Sequence, residues 1–444
     1  MQSLSLSRTG KFSPPTEHFR INMMFLRSPG APAHPRTDPE ELRDGHLRKL
    51  RAGLAEVLET NSFWRSRLTE VRSWDDFERL PLTNKADLLA DQNSQPPFGT
   101  NLTYPLDHYV RLHQTSGSSG DHPLRWLDTA ESWAWWERIW SEHVYPAAGV
   151  MAGDRVFLAF SFGPFIGFWS AFGGAQRLGA LAISGGAMTS EQRIRTIFDL
   201  RATVLMCTPT YALRLADVAR SLGIEPEKSD IRVTLHAGEP GASIPTTRAA
   251  IESSYSAACF DHTGMTELGP TGVSCSQRDG VHAIESEFIF EVLDASGRPA
   301  AEGELVATNL GRWGMPLIRY RTGDRVQVSR EPCTCGSPFM KLVGGIQGRV
   351  DDMFTVRGVN LYPSQVEDIV RGHPEVTEFV IEQRRVREMD EVSLLIEVAG
   401  GDPTERLEAD LRQALGVRLG CRVVETGTLP RSDVKSKRIV RVSG

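Results

Sequence analysis

Between residues 155 and 260 the chain alternates short apolar runs with segments of helix length. Residues 156–161, 203–207, 232–236 and 256–260 read as strands, and 165–178 and 243–254 as helices. Thr208-Pro209 supplies a helix cap and a first-turn proline. Repeated strand–helix units bury both faces of their strands in a mostly parallel sheet, so this part of the chain is α/β. The stretch from Val156 to Gln176 carries no charge. Gly163-Pro164 interrupts it, which favours a strand, a turn and a buried helix over a membrane span.

After residue 285 the pattern changes. Strand-like segments at 288–293, 304–308, 317–321 and 325–329 follow one another with no helix between them, as in an antiparallel subdomain. Residues 341–352 are glycine-rich and charged, which suits a hinge. From 353 a compact α+β unit is expected, with helices at 364–372 and 404–415. Upstream, residues 131–148 read as one helix carrying Trp133, Trp136 and Trp140 on a core stripe. Residues 1–40, rich in Ser, Pro and Arg and without an apolar leader segment, read as a flexible tail. Expected boundaries are 1–40 for the tail, 41–350 for a large α/β domain with an antiparallel β subdomain, and 351–444 for a small mobile α+β domain.

Composition narrows the function classes. A net charge of −6 lacks the basic excess of a nucleic-acid binder. Six cysteines in 444 residues are too few for a disulfide scaffold and fit a reducing, cytoplasmic setting. The chain has no P-loop, dinucleotide-fold, zincin or nucleophile-elbow motif.

Five stretches carry possible chemistry. Gln114-Thr115-Ser116-Gly117-Ser118-Ser119-Gly120 interleaves hydroxyls with glycine, which offers donors to phosphate oxygens; a plain surface loop is the alternative. Asp261-His262-Thr263-Gly264-Met265-Thr266-Glu267 follows a strand end and sets a carboxylate beside a hydroxyl, a pair able to hold Mg²⁺ and a phosphate oxygen. Tyr320-Arg321-Thr322-Gly323-Asp324 ends in a turn aspartate suited to a ribose diol. Gly348-Arg349-Val350-Asp351-Asp352 leads into Arg357-Gly358-Val359-Asn360. Last, Leu429 to Arg438 carries Lys435 and Lys437.

Their order and spacing resemble the adenylate-forming superfamily, and within it the phenylacetate–CoA ligase-like branch. His236-Ala237-Gly238-Glu239-Pro240 and the block from Gly348 to Glu367 carry the resemblance most strongly. It implies ATP-dependent conversion of a carboxylic acid to an acyl-adenylate, then transfer to CoA, with a carrier protein or a small amine or hydroxyl nucleophile as the alternative acceptor. It further implies that Thr115 to Gly120 order over ATP, and that Gly238, Glu239 and Pro240 line the adenine with Asp261 and His262 at its edge. Thr266 would touch the α-phosphate and Glu267 would hold Mg²⁺. Asp324 would bind the ribose, with Arg349 beside it. Asp351 would be the hinge, Gly358 would border the pantetheine channel, and Lys435 would reach the carboxylate and α-phosphate. A homodimer is left open.

Two departures stand out. The phosphate loop ends Gly120-Asp121-His122-Pro123 where the family commonly has Gly-Lys-Pro, leaving Arg125 as a substitute cation. Lys435 follows Val434 where the family usually has glycine.

Cys275, His282, Cys333 and Cys335 make a closed tetrahedral zinc set by residue type, and members of the resembled family carry a structural zinc with this order. Free thiols and a surface histidine are the alternative. Cys207, Cys259 and Cys421 read as core residues. The acyl pocket is expected among Phe162, Gly163, Phe165 and Ile166 on one wall and His236, Ala237 and Gly238 on the other. The aromatic density of Phe160–Trp169 favours an aromatic acid, with His236, Ser161 or His262 meeting any polar ring substituent.

Overall fold

The computed structural model describes residues 38–115, 123–164, 166, 168–356, 359–386, 389–430 and 438–442. A two-stranded antiparallel ribbon, β1 (Tyr109–Gln114) and β2 (Arg125–Thr129), flanks the body. Strands β3 (Arg155–Leu158), β4 (Leu181–Ser184), β5 (Val204–Cys207), β6 (Val233–His236) and β7 (Ala258–Met265) run parallel in the order β7-β6-β5-β3-β4. The sheet continues past β7 through antiparallel strands. These are β8 (Gly269–Val273), β9 (Gly280–Ala283), β10 (Phe288–Leu293), β11 (Glu302–Asn309), β12 (Tyr320–Ser329) and β13 (Lys341–Val343), with β14 (Gly348–Arg349) paired to β12. The α/β expectation and its antiparallel annex therefore join in one twelve-stranded sheet.

Side-chain alternation sorts the parallel strands into two cores. Val204, Met206, Val233, Leu235 and Phe260 pack with Trp140, Ile166 and Phe168 on one face. Leu205, Cys207 and Cys259 pack on the other against the helices Pro209–Ser221 and Pro245–Tyr255.

The first long helix, Pro39–Thr60, is capped by Asp38 and buries Leu50, Leu54 and Val57. It docks on the antiparallel half: His46 Nε2 bonds Glu285 O, Lys49 Nζ donates to Ser286 O at 2.8 Å, and Gly53 lets the Trp313 ring lie where a side chain would stand. Nearby, Arg319 donates to the Leu80 carbonyl and to Glu291.

Three expectations need correction. The tryptophan helix is not regular: Ala130–Ile139 is α-helical, and Trp140–Val144 forms a wide turn in which Tyr145 N–H bonds Trp140 O, five residues back. Of segment 317–321 only Tyr320 and Arg321 are strand, and they run on through 325–329 as one strand, β12, so Asp324 lies within a strand rather than at its end. Strand β7 continues to Met265 because β8 pairs with it, so Asp261–Met265 belongs to the strand. The uncharged stretch divides into β3 and the helix Trp169–Leu178, and among the described residues no helix is long and apolar enough to cross a membrane.

Residues beyond 353 form β15 (Phe354–Val356), β16 (Val359–Leu361), β17 (Val376–Val386), β18 (Met389–Val398), β19 (Gly420–Val423) and β20 (Ile439–Val442). The last four make a sheet in the order β19-β18-β17-β20, and the helices Pro363–Arg371 and Thr404–Leu415 close a separate small core. This unit touches the large one where Thr246 Oγ1 donates to Asp368 Oδ1 at 2.9 Å and Ser364 bonds Gln347 O.

Candidate active site

The two ends of the serine-glycine loop are clamped. Thr115 N–H donates to Leu124 O at 2.9 Å, its hydroxyl accepts from Leu124 N–H, and Gln114 N–H donates to Pro164 O. Ser116, Gly117, Ser118, Ser119 and Gly120 lie outside the described residues, as do Asp121, Phe165, Gly358 and Lys435. The side chain of Asp351 is likewise not described. Arg125, the expected substitute cation, donates through Nη1 to Pro97 O at 2.9 Å.

Past β6, Gly238 takes φ 98°, a conformation glycine adopts without strain, and Gly238 and Pro240 are exposed. Glu239 turns back: its carboxylate accepts from Thr210 N–H at 3.0 Å and from the Thr210 hydroxyl, tying this loop to the first turn of the helix Pro209–Ser221. Asp261 is buried, accepts from Ser243 Oγ, and is pushed up to about 6 by burial. A side chain at Gly345, which has φ 74°, would strike Ser243 and approach Asp261, so the hinge segment lies against this pair.

Thr266 and Glu267 form the turn between β7 and β8, and Glu267 is buried. Tyr320 Oη donates to Glu267 Oε1 at 3.4 Å. The residue that holds this turn, Arg312, was not among the sequence candidates. It is fully buried, donates through Nη1 to Thr266 O (2.6 Å) and Glu267 O (2.9 Å), and forms a two-pronged pair with Asp128 at 2.6 and 2.7 Å. Its guanidinium lies 4.6 Å from the Trp136 ring centroid and 5.4 Å from that of Trp126. Asp128 and Arg312 are 184 positions apart, and no local pattern links them.

Asp324 pairs with Arg349 across β12 and β14. Arg349 Nη1 reaches Thr322 O at 3.3 Å and Asp324 Oδ1 at 3.5 Å, and Gly323, with φ 75°, makes room for the guanidinium.

The expected acyl wall is present in part. Phe162 packs edge-on against Trp169 and Phe172, Trp169 Nε1 donates to Gly163 O at 3.1 Å, and Ile166 is buried. Ala237 packs with this same core. His236 does not share it. In β6 it points to the opposite face, in one row with Cys207 and Asp261, where burial pulls it down to about 4. His262, expected beside Asp261, points the other way, its ring 4.4 Å from Trp140.

Elsewhere, one ligand atom from each of Cys275, His282, Cys333 and Cys335 lies within 4.8 Å of the others. His282 Nδ1 donates to Phe339 O at 3.0 Å, which leaves Nε2 unprotonated and 3.4 Å from Cys335 Sγ.

Comparison with known proteins accords with this geometry. Residues 358–441 match the AMP-binding enzyme C-terminal domain family. The phenylacetate–coenzyme A ligase of Thermus thermophilus is 30% identical over 436 residues, covering 89% of this chain and 95% of its own. That of Escherichia coli is 30% identical over 389 residues, covering 83% and 86%. Crystal structures of 2-hydroxyisobutyryl-CoA ligase are similar throughout. The postadenylation state superposes with TM-score 0.86 at 27% identity, covering 93% of this chain and 91% of the other. The thioesterification state gives 0.69 at 28%, covering 92% and 91%. From its fold, the composition of its site and these relatives, the chain belongs to the phenylacetate–coenzyme A ligase family of AMP-forming acid–CoA ligases.

Proposed function

We propose that the chain activates an aromatic carboxylic acid with ATP and transfers the acyl group to CoA. The observation that carries this reading is the set of Asp261 in β7, Glu267 in the turn that follows and the Asp324–Arg349 pair between β12 and β14, in a chain whose relatives include several phenylacetate–CoA ligases. A carboxylate is a weak electrophile, and its attack on the α-phosphate brings anions together. Lys435 would neutralise the approaching carboxylate and phosphate, Thr266 would donate to the α-phosphate, and Glu267 would hold Mg²⁺. Asp324 would accept from the ribose hydroxyls, with Arg349 beside it. The adenylate hydrolyses in water, so rotation of residues 351–444 about Asp351 against residues 41–350 would both seal the site and bring up the thiol along Gly358.

We further read Cys275, His282, Cys333 and Cys335 as a structural zinc site. The donor set fits: three sulfurs and one oriented imidazole nitrogen converge, and the neighbouring Asp279 carboxylate is already paired with Lys341. The six cysteines form no disulfide, which suits the cytoplasm.

The test is pyrophosphate release across benzoates, arylacetates, medium-chain fatty acids and α-amino acids, with and without CoA or a phosphopantetheinylated carrier protein. Aromatic acids should turn over best, with CoA as the productive acceptor. Strongest turnover with a fatty acid of about eight or more carbons, or with an amino acid, would overturn the aromatic reading. Lys435→Ala should lower adenylate formation by about 10²-fold while sparing thioester formation from supplied adenylate.

A further inference from the structure

Three groups could read a polar substituent on the acid: Ser161, His236 and His262. Ser161 is exposed. His236 donates through Nδ1 to Cys207 O at 3.1 Å and is fully buried on the sheet face covered by the helices Pro209–Ser221 and Pro245–Tyr255. Strand alternation in β7 puts His262 on the aromatic face instead, with Phe260.

On that face its ring packs on Trp140, which meets Phe168, which in turn meets Phe160. The ring's proton is placed by its surroundings. Nδ1 lies 2.8 Å from Gly272 O, and a carbonyl only accepts, so Nδ1 carries the hydrogen and Nε2 presents a lone pair. Burial pulls the imidazole down to about 4, so it is uncharged at neutral pH. Among the described residues nothing donates to Nε2. Gly264 lies beside it: a Cβ there would stand 3.4 Å from Nε2, and closer still to Gly269 O and Pro270 Cα of β8.

We infer that His262 Nε2 accepts a hydrogen bond from a ring substituent of the substrate, so that the preferred acid is an aromatic acid bearing a hydroxyl or amino group. This rests on the aromatic-acid reading above and narrows it. A buried acceptor left without its donor discriminates strongly between otherwise similar ligands.

The experiment compares kcat/KM for pyrophosphate release among acids carrying hydroxyl, amino, fluoro or methoxy groups at the same ring position. In the wild type a hydroxy or amino acid should exceed its fluoro counterpart by at least about tenfold. His262→Ile should bring that ratio close to one, and His262→Gln, which keeps an acceptor, should retain part of it. A fluoro acid equal to its hydroxy counterpart at every ring position would overturn the inference, as would a ratio that survives His262→Ile. The wild-type comparison decides even if the variants do not fold. Good turnover of aromatic acids without donor selectivity overturns this inference alone, whereas no turnover of any aromatic acid overturns the reading beneath it as well.

Discussion

Arg438 donates through Nη2 to Glu367 Oε1 at 2.9 Å, both side chains buried, with its Nη1 on Glu378 at 2.6 Å and its guanidinium over the Phe379 ring. Arg438 follows Lys435 by three residues, and Glu367 lies on the helix Pro363–Arg371. The pair therefore fixes the residue three positions after Lys435, and should serve as its anchor. Glu367→Gln should lower adenylate formation by about 10–100-fold, the scale of a misplaced reacting group, with a smaller change in the ATP KM. Adenylation at the wild-type rate in Glu367→Gln, beside a crippled Lys435→Ala, would show that the anchor does not set the lysine's position.

With Glu267 in its proposed role, Arg312 should link stability to Mg²⁺ use. Arg312→Met strands the buried Asp128 carboxylate and should cost about 3–5 kcal/mol in urea unfolding. The double variant Asp128→Leu/Arg312→Met should recover most of that stability. It should not recover the half-maximal Mg²⁺ concentration, because the Thr266 and Glu267 carbonyls have lost their donor. Normal Mg²⁺ dependence in the double variant would refute the coupling.

The cysteine–histidine cluster should yield one zinc per chain by elemental analysis of protein purified without added metal. Cys333→Ser should lower Tm, by about 2–4 °C for each kcal/mol lost, more than it changes turnover at 25 °C. A zinc content well below stoichiometric would reject the site.

Acid should unfold the protein early. His113, His143, His236 and His262 are each held at about 4, with burial the leading cause, against an ordinary 6.5. The unfolded chain therefore takes up protons that the native state refuses, and stability is lost as pH falls from 6.5 toward 4. Asp261 acts in the opposite sense. Raised to about 6, it stays protonated in the native state, and its contribution falls as pH rises from about 4 to 6. Four groups outweigh one, so near pH 5.5 these five groups together should take up about three protons on unfolding, and His46, also pulled down by burial, adds in the same sense. Urea midpoints that stay flat from pH 7 to 5 would contradict this.

The convergence of Cys275, His282, Cys333 and Cys335 was legible from residue type together with the family resemblance, which the Gly348–Glu367 block also carries. The faces of His236 and His262 were not. A strand read as ending at 260 assigns no face to the next residues, and only the pairing of β8 extends β7 through Met265. The tryptophan helix misled for a different reason. In its wide turn Trp140 and Tyr145, five apart, pack with ring centroids 5.4 Å from each other, a neighbourhood that a 3.6-residue period does not predict. Arg312 escaped notice, and the turn of Glu239 back toward Thr210 was not foreseen, because the partners of both are brought to them only by tertiary folding.

The docking of Pro39–Thr60 on the antiparallel half has a consequence for synthesis. His46 and Glu285 are 239 positions apart, and Leu80 is the same distance from Arg319. At about 5–20 residues per second on the ribosome, the apolar stripe of Leu50, Leu54 and Val57 waits roughly 12–50 s for the surface that covers it. During that interval the helix has none of its antiparallel partners. A chaperone's access to the nascent chain should therefore matter most before residue 320 has emerged.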